Sequence, residues 1–357
     1  GAQPAFMNAS ILSSIASSVA RGQLERMFGY RHRVTQADLA RHATWTGEPW
    51  TIAVTGASGL IGRQLCAFLG GGGHRVVRLV RSPEAVQTWT RGDLERAVYW
   101  NVVSGEIDTD ALAALSPDAV IHLAGEPVLG FPWSTAKKRA IWESRTRGTM
   151  LLSRALAALP TPPKVLISAS ASGFYGDTGD QPVTEVDASG EGFLAHVCRA
   201  WEAATADAEA VGIRTVHARI GLVLSPQGGM LGTLAPLAQV GLAGWPGDGS
   251  AFWPWIALDD VLYGLHHLLQ SDARGPVNFG APAPATARTV VKAIGRTLRR
   301  PAVLRAPAPL VRLGGEPAQE LALKSVRMIP AALRASGFRH EYPTLDAALG
   351  HLLGSSS

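Results

Sequence analysis

The sequence predicts an α/β protein built on a doubly wound, mostly parallel sheet with a smaller C-terminal lobe, and three observations carry that expectation. From Thr51 onward, short apolar runs alternate with helical segments of about a dozen residues, the pattern of repeated βαβ units. A glycine-spaced turn, Gly56-Ala57-Ser58-Gly59-Leu60-Ile61-Gly62, joins the first apolar run to the first of these helices. At 357 residues and 46% hydrophobic, the chain has material for one large or two modest domains.

Residues Gly1–Phe6, ahead of Met7, are set aside. Between Ile11 and Met27 the residues Ile11, Ile15, Val19, Leu24 and Met27 recur at helical spacing, which predicts a short amphipathic helix docked on the body. It belongs to an extension over residues 1–48, followed by a dinucleotide-binding unit at 49–224 and a smaller lobe at 225–352. Strands are expected at Thr51–Val54, Arg75–Val80, Ala97–Trp100, Ala119–Leu123, Lys164–Ser168 and Thr215–Arg219, with helices between them. The lobe is read as loop-rich, from stretches such as Gly241–Ser250 and Ala281–Ala287, with helices at Asp259–Gln270 and Thr289–Leu298. A strand near residues 276–280 is expected to return to the main sheet. No repeat is evident, and low complexity is confined to Ser355–Ser357.

Composition narrows the function classes. The two cysteines, Cys66 and Cys198, provide no disulfide framework and no zinc pattern, so a reducing compartment and no metal are expected. No apolar run approaches the ~20 residues needed to span a bilayer, and the start lacks the charged-then-apolar order of a signal peptide. The reading is a cytoplasmic protein with no membrane partner. A net charge of +5 and a pI near 9.5 do not point to nucleic acid, because charges of both signs alternate along the chain. The basic stretch Arg288–Arg305 reads as a solvated helix face.

The glycine turn is the sharpest chemical signal. In a strand–turn–helix, Gly56 permits the tight turn, Gly59 lets backbone N–H groups approach a pyrophosphate, and Gly62 allows close helix–strand packing. This predicts an NAD(P)-binding Rossmann fold, with Gly56, Ala57, Ser58, Gly59, Leu60, Ile61 and Gly62 around the phosphates. A NAD-preferring site carries an acidic residue about 20 positions after the first glycine. Here the second strand ends in Val80-Arg81-Ser82, and Arg81 with Ser82 suits a 2′-phosphate. NADP(H) is therefore preferred over NAD(H). The fourth strand runs into Leu123, Ala124 and Gly125, small residues that leave room for a nucleotide. His122 reads as a satisfied core histidine.

The chain resembles the atypical extended short-chain dehydrogenases/reductases of the NAD(P)-dependent, nucleotide-sugar epimerase-like family. The motifs are the VTGASGLIG turn, HLAGEPV, WSTAKKRAIWESR at Trp133–Arg145, SASASGFYG at Ser168–Gly176, FLAHVCRAWE at Phe193–Glu202 and RIGLVLS at Arg219–Ser225. FWPWIALDD at Phe252–Asp260, GPVNFGAP at Gly275–Pro282 and GFRHEYPTLDAAL near the end are similar to substrate-lobe motifs. Phe28–Arg33 is similar to the junction that follows a lipid-binding-like cyclase domain in such proteins.

The resemblance implies a tyrosine, a lysine four residues later that lowers its pKa, and a carbonyl-positioning serine. Aligned on Glu202, this chain carries Leu194 and Cys198 instead of that pair, and Arg145 where an asparagine supports the lysine. Ser168, Ser170 or Ser172 remains as the serine. Ser170 and Tyr175 are the catalytic candidates, the tyrosine weighed against ring packing beside a nicotinamide. Arg145 and Ser168 join Leu123, Ala124 and Gly125 as cofactor contacts. Glu126, Trp133 and Trp253 are candidate substrate contacts, with Lys137, Lys138, Arg139 and Trp255 nearby. Asp260 is read as the start of a helix.

Two functions follow. One is an NADP(H)-dependent oxidoreductase or epimerase acting on a small carbonyl or sugar-nucleotide substrate, with a homodimer expected from the resemblance. The other is a non-catalytic NADP(H)-binding sensor or scaffold, because Leu194 and Cys198 replace the proton-transfer pair. A hydrolase is disfavoured by the absence of a GxSxG elbow.

Overall fold

The structure, a computed structural model, describes residues 9–89, 95–130 and 132–354. Gly1–Phe6 and Ser355–Ser357 lie outside them. Along the chain come α1 (Ala9–His42), β1 (Thr51–Thr55), α2 (Leu60–Gly71), β2 (Arg75–Val80), α3 (Pro83–Trp89), β3 (Glu95–Asn101) and β4 (Glu106–Ile107). They are followed by α4 (Thr109–Leu115), β5 (Ala119–His122), α5 (Thr135–Ala157) and β6 (Val165–Ala171). Next are α6 (Phe193–Ala203), α7 (Ala206–Ala210), β7 (Arg214–Ile220), α8 (Gly229–Gln239), α9 (Leu258–Gln270), β8 (Gly275–Phe279) and α10 (Ala287–Thr297).

These strands make one sheet in the order β8-β7-β6-β5-β1-β2-β3-β4, parallel except for the short β4. The order reverses direction at β1, which opens a crevice at the carboxyl ends of β1 and β5. The strands are apolar on both faces because helices cover both. On one side Ile52, Val54, Ile121 and Ile167 pack with Leu65, Phe68 and Leu69 of α2 and Val261, Leu265 and Leu268 of α9. On the other, Ala53, Val77, Val120 and Leu166 pack with Leu152 and Leu156 of α5 and Leu112 of α4.

Several expectations change. The expected lobe helix at Asp259–Gln270 is α9, which begins at Leu258 and packs on the main sheet against α2, because its apolar face fits beside the central strands. α8 is a helix beyond the two expected of the lobe: Gly229, Gly232 and Pro236 mask a helical segment whose Leu231, Ala235 and Ala238 bury in the lobe core. β6 runs three residues past the expected end at Ser168, since Ala169, Ser170 and Ala171 all pair with β7. β8 pairs with β7, with Val277 opposite Ala218, and so reaches the main sheet from within the lobe segment.

The N-terminal helix also differs. α1 is one continuous helix of 34 residues, and its described contacts with the body come from its second half. Leu24 and Met27 are exposed, and the side chains of Ile11, Ile15 and Val19 lie outside the described residues. The contacts come from Tyr30, stacked on His351, from Asp38, which accepts from the Tyr263 hydroxyl at 2.8 Å, and from His42, stacked on Phe68. Among the described residues no helix is long and apolar enough to cross a membrane.

Candidate functional site

The glycine turn is built to leave its backbone open. Gly56 has φ +67°, and a Cβ there would meet Leu123 and Ala124 backbone atoms at 2.8–2.9 Å. A Cβ on Gly62 would fall 2.2 Å from the Gly56 carbonyl oxygen, so only glycine lets α2 start this close to β1. Gly59, at φ −73°, caps α2 without a side-chain hydrogen bond, and Ser58 and Gly59 are exposed. The first-turn N–H groups of α2 therefore face outward, with the dipole favouring an anion. Ala57 and Gly62 are buried, and Leu60 and Ile61 are half-buried beneath the turn. This is a cradle that a pyrophosphate fits.

The neighbouring strand end is fixed by a buried network. Thr55 Oγ1 accepts the N–H of Leu123 at 3.1 Å and of Ala124 at 3.2 Å. Its own proton then goes to His122 Nδ1 at 2.6 Å, so Nε2 carries the ring proton toward Thr149 Oγ1 at 2.9 Å. Burial pushes the His122 pKa down to about 3, so the ring is neutral and structural. By orienting Thr55, His122 fixes Leu123 and Ala124 at the strand end.

Around that strand end, Arg145 of α5 reaches over Gly125, donating from Nη1 to the Glu126 carbonyl at 2.9 Å and lying 4.9 Å from the Trp201 ring centre. The Glu126 carboxylate is half-exposed at the mouth and takes a 2.6 Å hydrogen bond from Lys137 Nζ. Lys138 pairs with Glu316, and Arg139 is bonded to Glu143, so neither is a free clamp. At the end of β2, Arg81 is exposed and Ser82 Oγ accepts the Ala85 N–H at 3.2 Å, opening α3.

The catalytic candidates require correction. Tyr175 is 2% exposed: it donates to Asn278 Oδ1 at 2.7 Å and accepts from Arg219 Nη1 at 3.0 Å, and burial raises its pKa. Its hydroxyl is thus engaged by two buried partners and its ring packs in the interior with Phe174, Val183 and Met328. The short turn Ser172–Tyr175 directs it inward, where β7 and β8 supply its partners. Ser170 is also buried and donates to Glu202 Oε1 at 2.7 Å. Ser168 is fully buried inside β6 opposite His122, three residues before the strand ends. Ser172, the residue that follows β6 and opens the short turn to Tyr175, is half-buried.

On α6, Leu194 and Cys198 face Gly173, whose Cβ would lie 3.2 Å from Leu194 Cβ and 4.0 Å from Cys198 Sγ. Burial pushes the Cys198 thiol up to about 11, so it is a small core residue rather than a thiolate. The substrate tryptophans are also reassigned. Trp133 is 8% exposed, bonded from Nε1 to the Val128 carbonyl at 2.9 Å and packed with Ile141 and Val197. Trp253 is 6% exposed within the lobe core beside Leu231 and Val290, and Trp255 is buried there with it. Each is large and apolar enough that packing claims it. Asp260, buried at the start of α9, accepts the N–H of Glu341 at 2.6 Å and of Tyr342 at 3.1 Å, pinning the C-terminal segment.

Sequence reasoning missed two features. Gly228 and Gly229 place a loop against Leu60 beside the cradle, and the adjacent glycines were the available signal. The Glu202–Arg219 pair joins α6 to β7, and no local pattern announces it.

A glycine turn at the switch point of a parallel sheet, opening onto a helix N-terminus, defines a dinucleotide-binding protein of the short-chain dehydrogenase/reductase type. Residues 52–280 match the model of the NAD dependent epimerase/dehydratase family, and residues 306–352 match a domain of unknown function, DUF1731. An epimerase family protein of Mycobacterium bovis is 41% identical over 302 residues, covering 84% of this chain and 96% of that protein. The crystal structure of human epimerase family protein SDR39U1 with NADPH superposes with a TM-score of 0.74 at 29% identity, covering 86% of this chain and all of that one. A nucleoside-diphosphate sugar epimerase from Corynebacterium glutamicum superposes with TM-score 0.74 at 35% identity, covering 92% of this chain but 64% of that longer one. The chain belongs to the NAD dependent epimerase/dehydratase family.

Proposed function

We propose that this chain binds NADP(H) across the carboxyl ends of β1, β2, β5 and β6, and uses it as an oxidoreductase or epimerase on a small carbonyl or sugar-nucleotide substrate. The observation that carries this reading is the cradle in which Gly56 and Gly62 leave no room for a Cβ while the first turn of α2 faces outward. Arg81 at the end of β2, exposed and with no acidic residue at that strand end, supports a 2′-phosphate over a free ribose hydroxyl. The NADPH bound by the human relative points the same way. A bound nicotinamide supplies or accepts the hydride. The protein's part is to hold the phosphates at Ser58–Gly62, to offer the Ser172 hydroxyl and the Arg145 guanidinium as donors, and to keep Glu126 paired with Lys137 at the mouth. A cytoplasmic location belongs to the same reading, supported by two buried free cysteines.

A non-catalytic NADP(H)-binding role is the second reading. It is favoured by one observation: Leu194 and Cys198 occupy the α6 face toward Gly173, and Tyr175 is locked away from the crevice. Exchange of a hydrogen label between NADPH and any carbonyl substrate overturns this second reading.

The deciding experiment titrates the protein with NADPH and with NADH, followed by nicotinamide fluorescence, alongside Arg81→Ala. Tighter NADPH binding that loses its preference in the variant is expected. Equal binding of both cofactors, or none, overturns the proposal.

A further inference from the structure

We infer that Arg145 is the residue that grips the half of the dinucleotide beyond the pyrophosphate, as a fixed cation supplied by α5. The inference rests on the NADP(H) reading and starts from the strand order. With the pyrophosphate on α2 and the 2′-phosphate toward β2, the other half of the ligand extends over β5 and β6. Arg145 stands on that side. A Cβ on Gly125 would lie 3.2 Å from its Cζ and 3.4 Å from Nη1 and Nη2, so the guanidinium lies flat against the crevice floor, and the glycine makes the space for it.

The guanidinium is held but not saturated. Nη1 donates to the carbonyls of Glu126 at 2.9 Å and Ile141 at 3.3 Å, and the plane is 4.9 Å from the Trp201 ring centre. Among the described residues Nε and Nη2 make no hydrogen bond, and neither is a fully buried orphan, so both remain accessible. No carboxylate oxygen lies within ion-pairing distance of it among the described residues, although Lys137, Lys138, Arg139 and Arg219 all have one. A partly buried cation with no carboxylate in direct contact, the Glu126 charge acting on it only from a distance, and anchored by one edge, is arranged to donate to oxygens that arrive with a ligand. Its neighbour Cys198 places a small neutral side chain on α6, which leaves that space to the arginine. The oxygens it would meet are the hydroxyls of the second ribose.

The test compares NADPH with 2′,5′-ADP, which keeps the adenosine and 2′-phosphate but lacks the second half. Binding of both to wild type and to Arg145→Ala is measured by calorimetry, with melting temperature as a fold check. Arg145→Ala should weaken NADPH on the order of 10-fold or more, the loss of a charge-assisted donor pair, and leave 2′,5′-ADP within about twofold. Arg145→Lys, which keeps the charge and loses the planar fork, should show a smaller loss confined to NADPH, and it serves if the alanine variant does not fold. Unchanged NADPH affinity, or equal weakening of both ligands, overturns the inference and leaves the cofactor reading standing. Wild-type protein that binds neither ligand overturns both.

Discussion

Arg219 and Glu202 meet as a two-bonded fork, Nε to Oε1 at 2.8 Å and Nη2 to Oε2 at 2.9 Å, with side chains only 4% and 12% exposed. Around it gather Ser170 on the carboxylate, Tyr175 on Nη1 and the Phe174 ring, whose centre lies 3.4 Å from the guanidinium carbon. The fork thereby ties β6, β7 and α6 together under the crevice. Removing one partner strands the other charge, so Glu202→Leu should cost about 3–5 kcal/mol. Urea unfolding reads this as a lower midpoint with unchanged slope. A loss under about 1 kcal/mol would show that the fork contributes little.

Tyr175→Phe separates structure from catalysis. The change leaves Asn278 Oδ1 without its tyrosine donor and Arg219 Nη1 with only the longer bond to the Glu185 carbonyl at 3.4 Å, so stability should fall by about 1–3 kcal/mol. NADPH affinity should stay within about twofold, because the hydroxyl faces away from the cradle. A folded, fully stable variant that has lost hydride exchange would restore the tyrosine as a proton carrier.

The three glycines of the cradle should fail differently. Gly62→Ala places a Cβ 2.2 Å from the Gly56 carbonyl oxygen and forces backbone to move, so a loss of about 1–3 kcal/mol or more is expected, with NADPH binding lost alongside. Gly56→Ala adds strain at φ +67° to its contacts with Leu123 and should be as damaging. Gly59→Ala meets only the Gly56 oxygen at 3.2 Å and should fold nearly normally while weakening NADPH. Thermal melts with and without NADPH distinguish the cases. Equal behaviour of all three would refute the division of labour.

Helix α1 is held by a joint whose stability should depend on pH. His42, Trp45, His74 and His266 interleave there, with both His42 and His74 at 5.8 Å from His266 and Trp45 at 4.3 Å from His74. Burial pushes His74 down to about 4 and His266 to about 3, and lowers His42. Arg41 and His267 also face His266, and Asp38 faces His42. With folded pKa values below the unfolded ~6.5, the unfolded chain binds more protons. The contribution of these histidines is therefore complete above about pH 6.5 and is lost progressively as pH falls toward 4. Asp260, raised by burial to about 7, runs the opposite way, so the informative quantity is a difference. Between pH 7.5 and 5 the melting temperature of wild type should fall further than that of His266→Phe, which keeps Asp260 and removes an unpartnered buried ring nitrogen. Parallel curves would rule the joint out as pH-sensitive.

Much of the fold was legible because its signals are local. The Gly56–Gly62 spacing, the apolar β1, β2, β5 and β7 segments and the helical periodicity between them each lie within a dozen neighbouring residues. Arg81 and Glu126 are named from their place just beyond strand ends, which line the crevice in any sheet of this kind, and Arg145 from the family resemblance. Ser168, Ser170, Tyr175, Trp133 and Trp253 look reactive or ligand-like as residue types, and all five are buried; Tyr175 and Ser170 are engaged by partners far along the chain, Asn278 and Glu202.

The sequence by itself determined the doubly wound sheet and the phosphate-binding turn, because glycine geometry and side-chain period are written locally, while Leu194 and Cys198 at the tyrosine and lysine places of α6 are what the family resemblance implies. Only the tertiary structure decided which polar groups reach the crevice. That choice depends on burial and on partners 17 to 44 positions away, such as Arg145 over Gly125 and Arg219 against both Glu202 and Tyr175. A buried polar group must be satisfied where it lies, and the long-range packing of β6, β7, β8 and α6 sets the partner it finds.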